Sequence, residues 1–152
     1  MAARARKPVA QALAFWDSSA LLPLCVRQGI TARAIALYRS YEAVVWWATP
    51  VEIASALARL VRMKQLDSGV WAEARQLAKS LADSWFVVQP SDALRSRAAQ
   101  FVDRYDLRAA DSLQLAAAFE WCEEMPQGRA FLTADLKLRE AALLSGFDVK
   151  QF

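Results

Sequence analysis

The chain contains no histidine, which removes Ser-His-Asp and Cys-His catalysis together with the usual zinc sites. Any chemistry must run on carboxylates, hydroxyls, lysine or arginine. Cysteine is nearly as scarce. Cys25 and Cys122 are too few and too far apart for a disulfide-stapled scaffold or a metal-binding pair, and they fit a reducing compartment as buried small apolar residues. Glycine is rare as well: four glycines stand against 31 alanines, a balance that favours helices because Ala loses least and Gly among the most on entering one. Long apolar runs are missing too. The longest uncharged stretches, such as Pro8 to Trp16 and Ala43 to Val51, have nine residues, whereas a spanning helix needs about 18 or more. The basic start lacks the apolar core and cleavage site of a signal peptide. These absences lead us to expect a soluble, cytoplasmic protein with no membrane partner.

The 152 residues are 56% hydrophobic and 23% charged, enough apolar material for one packed domain and too much for general disorder. The net charge of +3 comes from Arg4, Arg6 and Lys7, after which 16 basic and 16 acidic residues cancel. Arginine supplies 14 of the 19 cations, and its planar fork is the better phosphate ligand, so nucleic acid is permitted but not required. Residues 1–10 read as a basic, flexible tail and residues 11–152 as a single domain.

Along that domain, short apolar segments alternate with helical text. Strands are expected at Leu13 to Trp16, Ala43 to Trp47, Trp85 to Val88, Ala130 to Leu132 and Phe147 to Lys150. Helices are expected after Asp17-Ser18-Ser19, over Thr31 to Tyr41, Thr49 to about Met63, Gly69 to Leu81, Asp92 to Tyr105, Leu107 to Trp121 and Leu136 to Leu144. This alternation predicts an α/β fold, three layers in the order α/β/α, around a mainly parallel sheet of about five strands.

In such sheets the functional crevice lies beyond the carboxyl ends of the strands. Asp17 follows the first strand, Glu52 opens the helix after the second, and Asp135 follows Ala130 to Leu132. Asp111 lies near the start of a helix made largely of Leu and Ala. Each has an ordinary reading. Asp17 and Asp135 suit helix caps, and Thr49-Pro50-Val51-Glu52 reads as a capping box with Pro50 at the first helical position. Asp111 can be an acid of the first turns, with Asp106 available as the cap. Together, however, all four can converge on one end of the sheet. Converging carboxylates repel unless a hard cation neutralises them, and oxygen-only ligands select Mg²⁺ or Mn²⁺. Such ions activate water for phosphodiester cleavage without histidine.

The stretches Phe15-Trp16-Asp17-Ser18-Ser19-Ala20-Leu21, Thr49-Pro50-Val51-Glu52-Ile53-Ala54-Ser55-Ala56-Leu57, Leu107-Arg108-Ala109-Ala110-Asp111-Ser112-Leu113-Gln114-Leu115-Ala116 and Phe131-Leu132-Thr133-Ala134-Asp135-Leu136-Lys137-Leu138 resemble PIN domains of the VapC toxin type. The resemblance covers nearly everything from Leu13 onward. It implies a PIN fold and a Mg²⁺- or Mn²⁺-dependent endoribonuclease whose site is built from Asp17, Glu52, Asp111 and Asp135. Asp17 and Asp111 would be the firmest metal ligands, with Glu52 and Asp135 completing the site directly or through water. Ser18 and Thr133 match polar positions that support the metal or a phosphate, and Ser112 stands where many relatives carry Ala. Three partners are implied: an RNA substrate, a VapB-like antitoxin threading a segment across the acidic pocket, and a second copy in a homodimer. The alternatives are a PIN nuclease of RNA processing, a silent PIN scaffold that binds RNA or protein without cutting, and a metal-dependent DNA nuclease.

The six tryptophans include adjacent Trp46 and Trp47, which read as core because a doubly covered sheet buries both faces. The other reading makes them base-stacking platforms. Arg59, Arg62 and Lys64 suit the carboxyl end of the Glu52 helix. An RNA contact by these residues, or by Arg104 and Arg108, is the functional alternative.

Overall fold

The computed structural model describes residues 10–152. Apart from Ala10, the expected basic tail lies outside the described residues. Five strands alternate with seven helices: β1 (Ala12–Trp16), α1 (Ser18–Cys25), α2 (Thr31–Ser40), β2 (Tyr41–Trp46), α3 (Thr49–Arg62), α4 (Ser68–Ala82), β3 (Phe86–Val88), α5 (Asp92–Tyr105), α6 (Ala109–Trp121), β4 (Ala130–Leu132), α7 (Leu136–Leu144) and β5 (Asp148–Lys150). The sheet is parallel throughout, in the order β3-β2-β1-β4-β5. The expected α/β architecture of about five strands is what the chain adopts.

Strand alternation explains the layering, because successive side chains point to opposite faces. Phe15, Val44, Trp46 and Phe131 join one core with residues of α5, α6 and α7, including Leu94, Phe101, Leu115 and Leu138. Their strand neighbours Ala14, Trp16, Val45 and Leu132 enter a second core with Ala20, Leu21, Leu37, Ile53, Leu57 and Ala74 of α1 to α4. Phe15 sits in register with Val44 on β2 and Phe131 on β4, and the two phenyl rings stack at 5.3 Å. Burial of each large apolar side chain contributes about 1.5–3 kcal/mol.

Strand order also places the crevice. The chain steps outward from β1 to β2 and β3, then crosses back to lay β4 on the other flank of β1. That reversal makes the carboxyl ends of β1 and β4 the switch point where such sheets bind ligands. The Asp17 N–H donates to Leu132 O at 2.9 Å and ties the two ends together.

Several local expectations need correction. Trp46 is buried, but Trp47 is 54% exposed, because β2 ends at Trp46 and the next residue already belongs to a turn. The capping box does not form. Helix α3 starts a residue earlier than that motif requires, with Ala48 at the cap and no side-chain cap bond, so Thr49 is already helical and Pro50 occupies the second position. Asp106 does not cap α6. It ends α5 in the left-handed region at φ 51°, and α6 begins after Arg108 without a side-chain cap. Cys122 is buried as expected, while Cys25 is half-buried. Arg59 and Arg62 do lie in the last turn of α3.

Candidate active site

Asp17 is the centre of the arrangement. It caps α1 and is 3% exposed. Its Oδ2 accepts from Thr133 Oγ1 at 2.9 Å, from the Ser19 backbone N–H at 3.3 Å and, at very short range, from the Ser19 hydroxyl. The two hydroxyls accept in turn from the loop after β4: Thr133 Oγ1 from the Asp135 N–H at 3.0 Å, and Ser19 Oγ from the Ala134 N–H at 2.9 Å. This network fastens the β4–α7 loop to the first turn of α1. Asp135 caps α7, its Oδ1 accepting from the Leu138 N–H at 2.8 Å. The capping readings of Asp17 and Asp135 are therefore correct, and each acid also stands at the switch point.

Glu52 lies in the first turn of α3. Its Oε2 accepts from Ser18 Oγ at 2.8 Å and from Gln114 Nε2 at 3.0 Å. Ser18 Oγ also lies 3.3 Å from Asp17 Oδ1, so one hydroxyl stands between two carboxylates. Asp111 occupies the first turn of α6, where an acid meets the positive end of the helix dipole.

Burial raises three of the acids, and the charges of their neighbours raise two of those further. Burial raises the Asp17 carboxyl above its ordinary value against the hydrogen bonds from Ser19, Thr133 and Ser18. Glu52 is raised first by burial and further by the charges of Asp17 and Asp111, while Gln114 and Ser18 pull it down. Asp111 is pushed up to about 6, by burial and then by Asp135 and Asp17, with Arg108 opposing. Carboxylates shifted by one another's charge at the mouth of a sheet are the pattern expected of a functional centre. Among the described residues, none of the four makes an ion pair.

This donor set fits a hard divalent cation: every available ligand is oxygen, and Asp17 is buried without a compensating charge. Among the described residues, no three acids already sit in a metal-holding arrangement. The acids therefore share a field without forming a finished coordination shell. A cavity of about 490 Å³ lies elsewhere, between α3 and α4, with Ile53, Leu57, Trp71 and Trp85 in its wall.

Two members of the network escaped the sequence reading as site residues. Ser19 looked only like a capping polar residue. Gln114 was hidden inside an apolar helix, yet it is fully buried and bonds Glu52 and, at 3.3 Å, Thr49 Oγ1. Its signal was present: a lone amide three residues after Asp111, on the same helical face.

No protein-family model matches the chain, and no curated protein does. Solved structures share its fold. A chain titled "Toxin-antitoxin complex from Klebsiella pneumoniae" is similar with a TM-score of 0.56 at 14% identity, covering 80% of this chain and 86% of that one. The structure of PAE2754 from Pyrobaculum aerophilum is similar with a TM-score of 0.59 at 20% identity, covering 86% of this chain and 79% of that one.

Proposed function

We propose that the chain is a metal-dependent endoribonuclease and the toxin of a toxin–antitoxin pair. One observation supports this reading above the others: Asp17, Glu52 and Asp111, each with its carboxyl raised by burial, stand with Asp135 at the switch point of the sheet, and none of the four has a cation partner among the described residues. The fold shared with a chain of a toxin–antitoxin complex supports the biological setting.

In this reading, Asp17 and Asp111 hold Mg²⁺ or Mn²⁺, with Glu52 and Asp135 completing the shell directly or through water. Such an ion, when bound, lowers the pKa of water and stabilises the leaving oxygen of a phosphodiester. The chain's own residues supply orientation. Ser19 and Thr133 hold Asp17 Oδ2, so that Oδ1, bonded among the described residues by Ser18 alone, is the oxygen that would be left for a cation. Ser18 and Gln114 occupy Glu52 Oε2, so Oε1 remains to accept a proton from the attacking water. Arg108, whose charge reaches Asp111, would be the cation to meet a substrate phosphate. An antitoxin segment carrying a cation into the acids would quench the same charge. The apolar α3–α4 groove, with Arg75 and Lys79 in its wall, suits the rest of an amphipathic segment. Association into a homodimer belongs to the same proposal, and sedimentation of the purified chain checks it.

The test is incubation of antitoxin-free protein with structured RNAs and Mg²⁺ or Mn²⁺, beside Asp17→Asn and an EDTA control. Metal-dependent cleavage lost in the variant is expected. Folded protein that binds neither metal nor RNA overturns the reading in favour of a silent scaffold.

A further inference from the structure

A second concavity opens at the same end of the sheet as the four acids. It measures about 360 Å³ and is walled by Trp46, Pro90, Leu94 and Leu113, with Asp92 and Arg95 also lining it. Its position follows from the chain: Trp46 ends β2, Pro90 follows β3, Leu94 and Arg95 belong to the first turn of α5, and Leu113 lies two residues beyond Asp111. Its volume is in the range of about 300–1,000 Å³ that small-ligand sites occupy. Beside it stands Trp47, 54% exposed, its ring 6.4 Å from that of Trp46. The Trp47 backbone N–H donates to Val88 O at 3.1 Å, which fixes this residue to the ends of β2 and β3.

The indole of Trp47 is exposed beside the apolar wall of this hollow, and covering the two together would remove apolar surface from water. Flat apolar walls next to a free indole are the equipment for stacking bases. Among the described residues, Arg95 pairs with Asp92 alone, at 3.0 Å, and both side chains are strongly exposed. Such a pair is weak in water, so the guanidinium is available to a phosphate. A protein segment would also cover apolar surface, but the combination of ring platform, hollow and arginine fork fits a single strand of nucleic acid better.

We propose that the hollow and Trp47 form a base-binding subsite, holding successive unpaired bases of an RNA strand on the β2–β3 side of the four acids, with Arg95 on the intervening phosphate. The inference rests on the ribonuclease reading for the choice of RNA. Its consequence is that cleavage position is selected by the unpaired bases flanking the scissile bond.

The test uses the full chain in EDTA, so that binding is read without cleavage. The probes are fluorescently labelled octamers of uridine and of adenosine, with an abasic ribose-phosphate octamer as the comparison. The wild type is expected to bind the base-bearing strands about tenfold more tightly than the abasic one. Trp47→Ala should remove most of that difference, and Trp47→Phe should keep most of it. Arg95→Ala should reduce the slope of log affinity against log salt by about 0.7. Both positions are exposed, and near-UV circular dichroism verifies that the variants are folded. Equal binding of abasic and base-bearing strands, the outcome expected if this face seats a protein segment, overturns the subsite. Base discrimination that survives Trp47→Ala also overturns it. Cleavage is scored separately in Mn²⁺. Base-selective binding without cleavage keeps the subsite and removes the nuclease, whereas cleavage without a Trp47 effect on base discrimination removes the subsite and keeps the nuclease.

Discussion

The Gln114 side-chain amide donates to Glu52 Oε2 at 3.0 Å from the buried middle of α6, while its own Oε1 has no partner among the described residues. The core thus bears an unsatisfied carbonyl so that one carboxylate can be aimed. Gln114→Leu keeps the volume, removes the orphan and leaves Glu52 held by Ser18 alone, while the buried Thr49 hydroxyl loses its bond to the amide. A hydrogen bond to a charged group contributes about 1.5–3 kcal/mol, so Mn²⁺ affinity and RNA cleavage should fall about tenfold or more. The melting temperature should change little. Calorimetric Mn²⁺ titration beside a thermal melt separates the two effects, and a large drop in melting temperature with unchanged Mn²⁺ affinity would show a merely structural role.

Asp17 is expected to show the opposite separation. Its buried carboxylate has hydrogen bonds but, among the described residues, no cation, so its charge costs stability. Asp17→Asn should abolish metal-dependent cleavage yet melt at or above the wild-type temperature in EDTA. A strongly destabilised variant would mean that the charge itself holds α1 to β4.

Thr133 braces two acids at once, donating to Asp17 and accepting from the Asp135 N–H. Thr133→Val leaves both partners buried without it, at a cost of about 1–3 kcal/mol. Urea unfolding should report that loss, with cleavage reduced alongside. A midpoint unchanged from wild type would show that water replaces the hydroxyl.

The raised carboxyl of Asp111 gives a pH signature. It binds its proton with a folded value of about 6 against an ordinary 3.8, so between those values the native state holds more protons than the unfolded one. Stability in EDTA should then fall as pH rises through that window, and Asp17 and Glu52 act in the same sense. Thermal melts from about pH 4 to about pH 7 should show a decline that Asp111→Asn flattens. At the upper end, Mn²⁺ at a hundredfold excess over its dissociation constant should restore about 2.7 kcal/mol. Parallel pH curves for wild type and variant would refute this account.

Local text was a good guide wherever local forces decide. The alternation of apolar runs with Ala-rich periodic segments placed every strand and helix to within a few residues, since each element buries its own apolar side. Errors arose where two local rules competed. Thr49 and Glu52 satisfy the capping pattern, yet a helix starting one residue earlier carries Glu52 to Ser18 and Gln114 instead. Asp106 has the composition of a helix cap, but its positive φ closes α5 and its carboxylate meets Lys137.

The sequence by itself determined the alternation of strands and helices and which polar side chains stand at their junctions. The lack of histidine excludes most alternatives, and the acids stand where strands give way to helices. Only the tertiary structure decided that β4 returns to lie beside β1, which unites Asp17 with Thr133 across 116 positions of chain. It also decided that Trp46 is buried while Trp47 faces outward. Strand order and helix packing depend on contacts between distant segments, whereas periodicity and capping report only on neighbours. For that reason the four acids, Ser18 and Thr133 could be proposed from the text, while the bonds of Ser19 to Asp17 and of Gln114 to Glu52 became visible only in the fold.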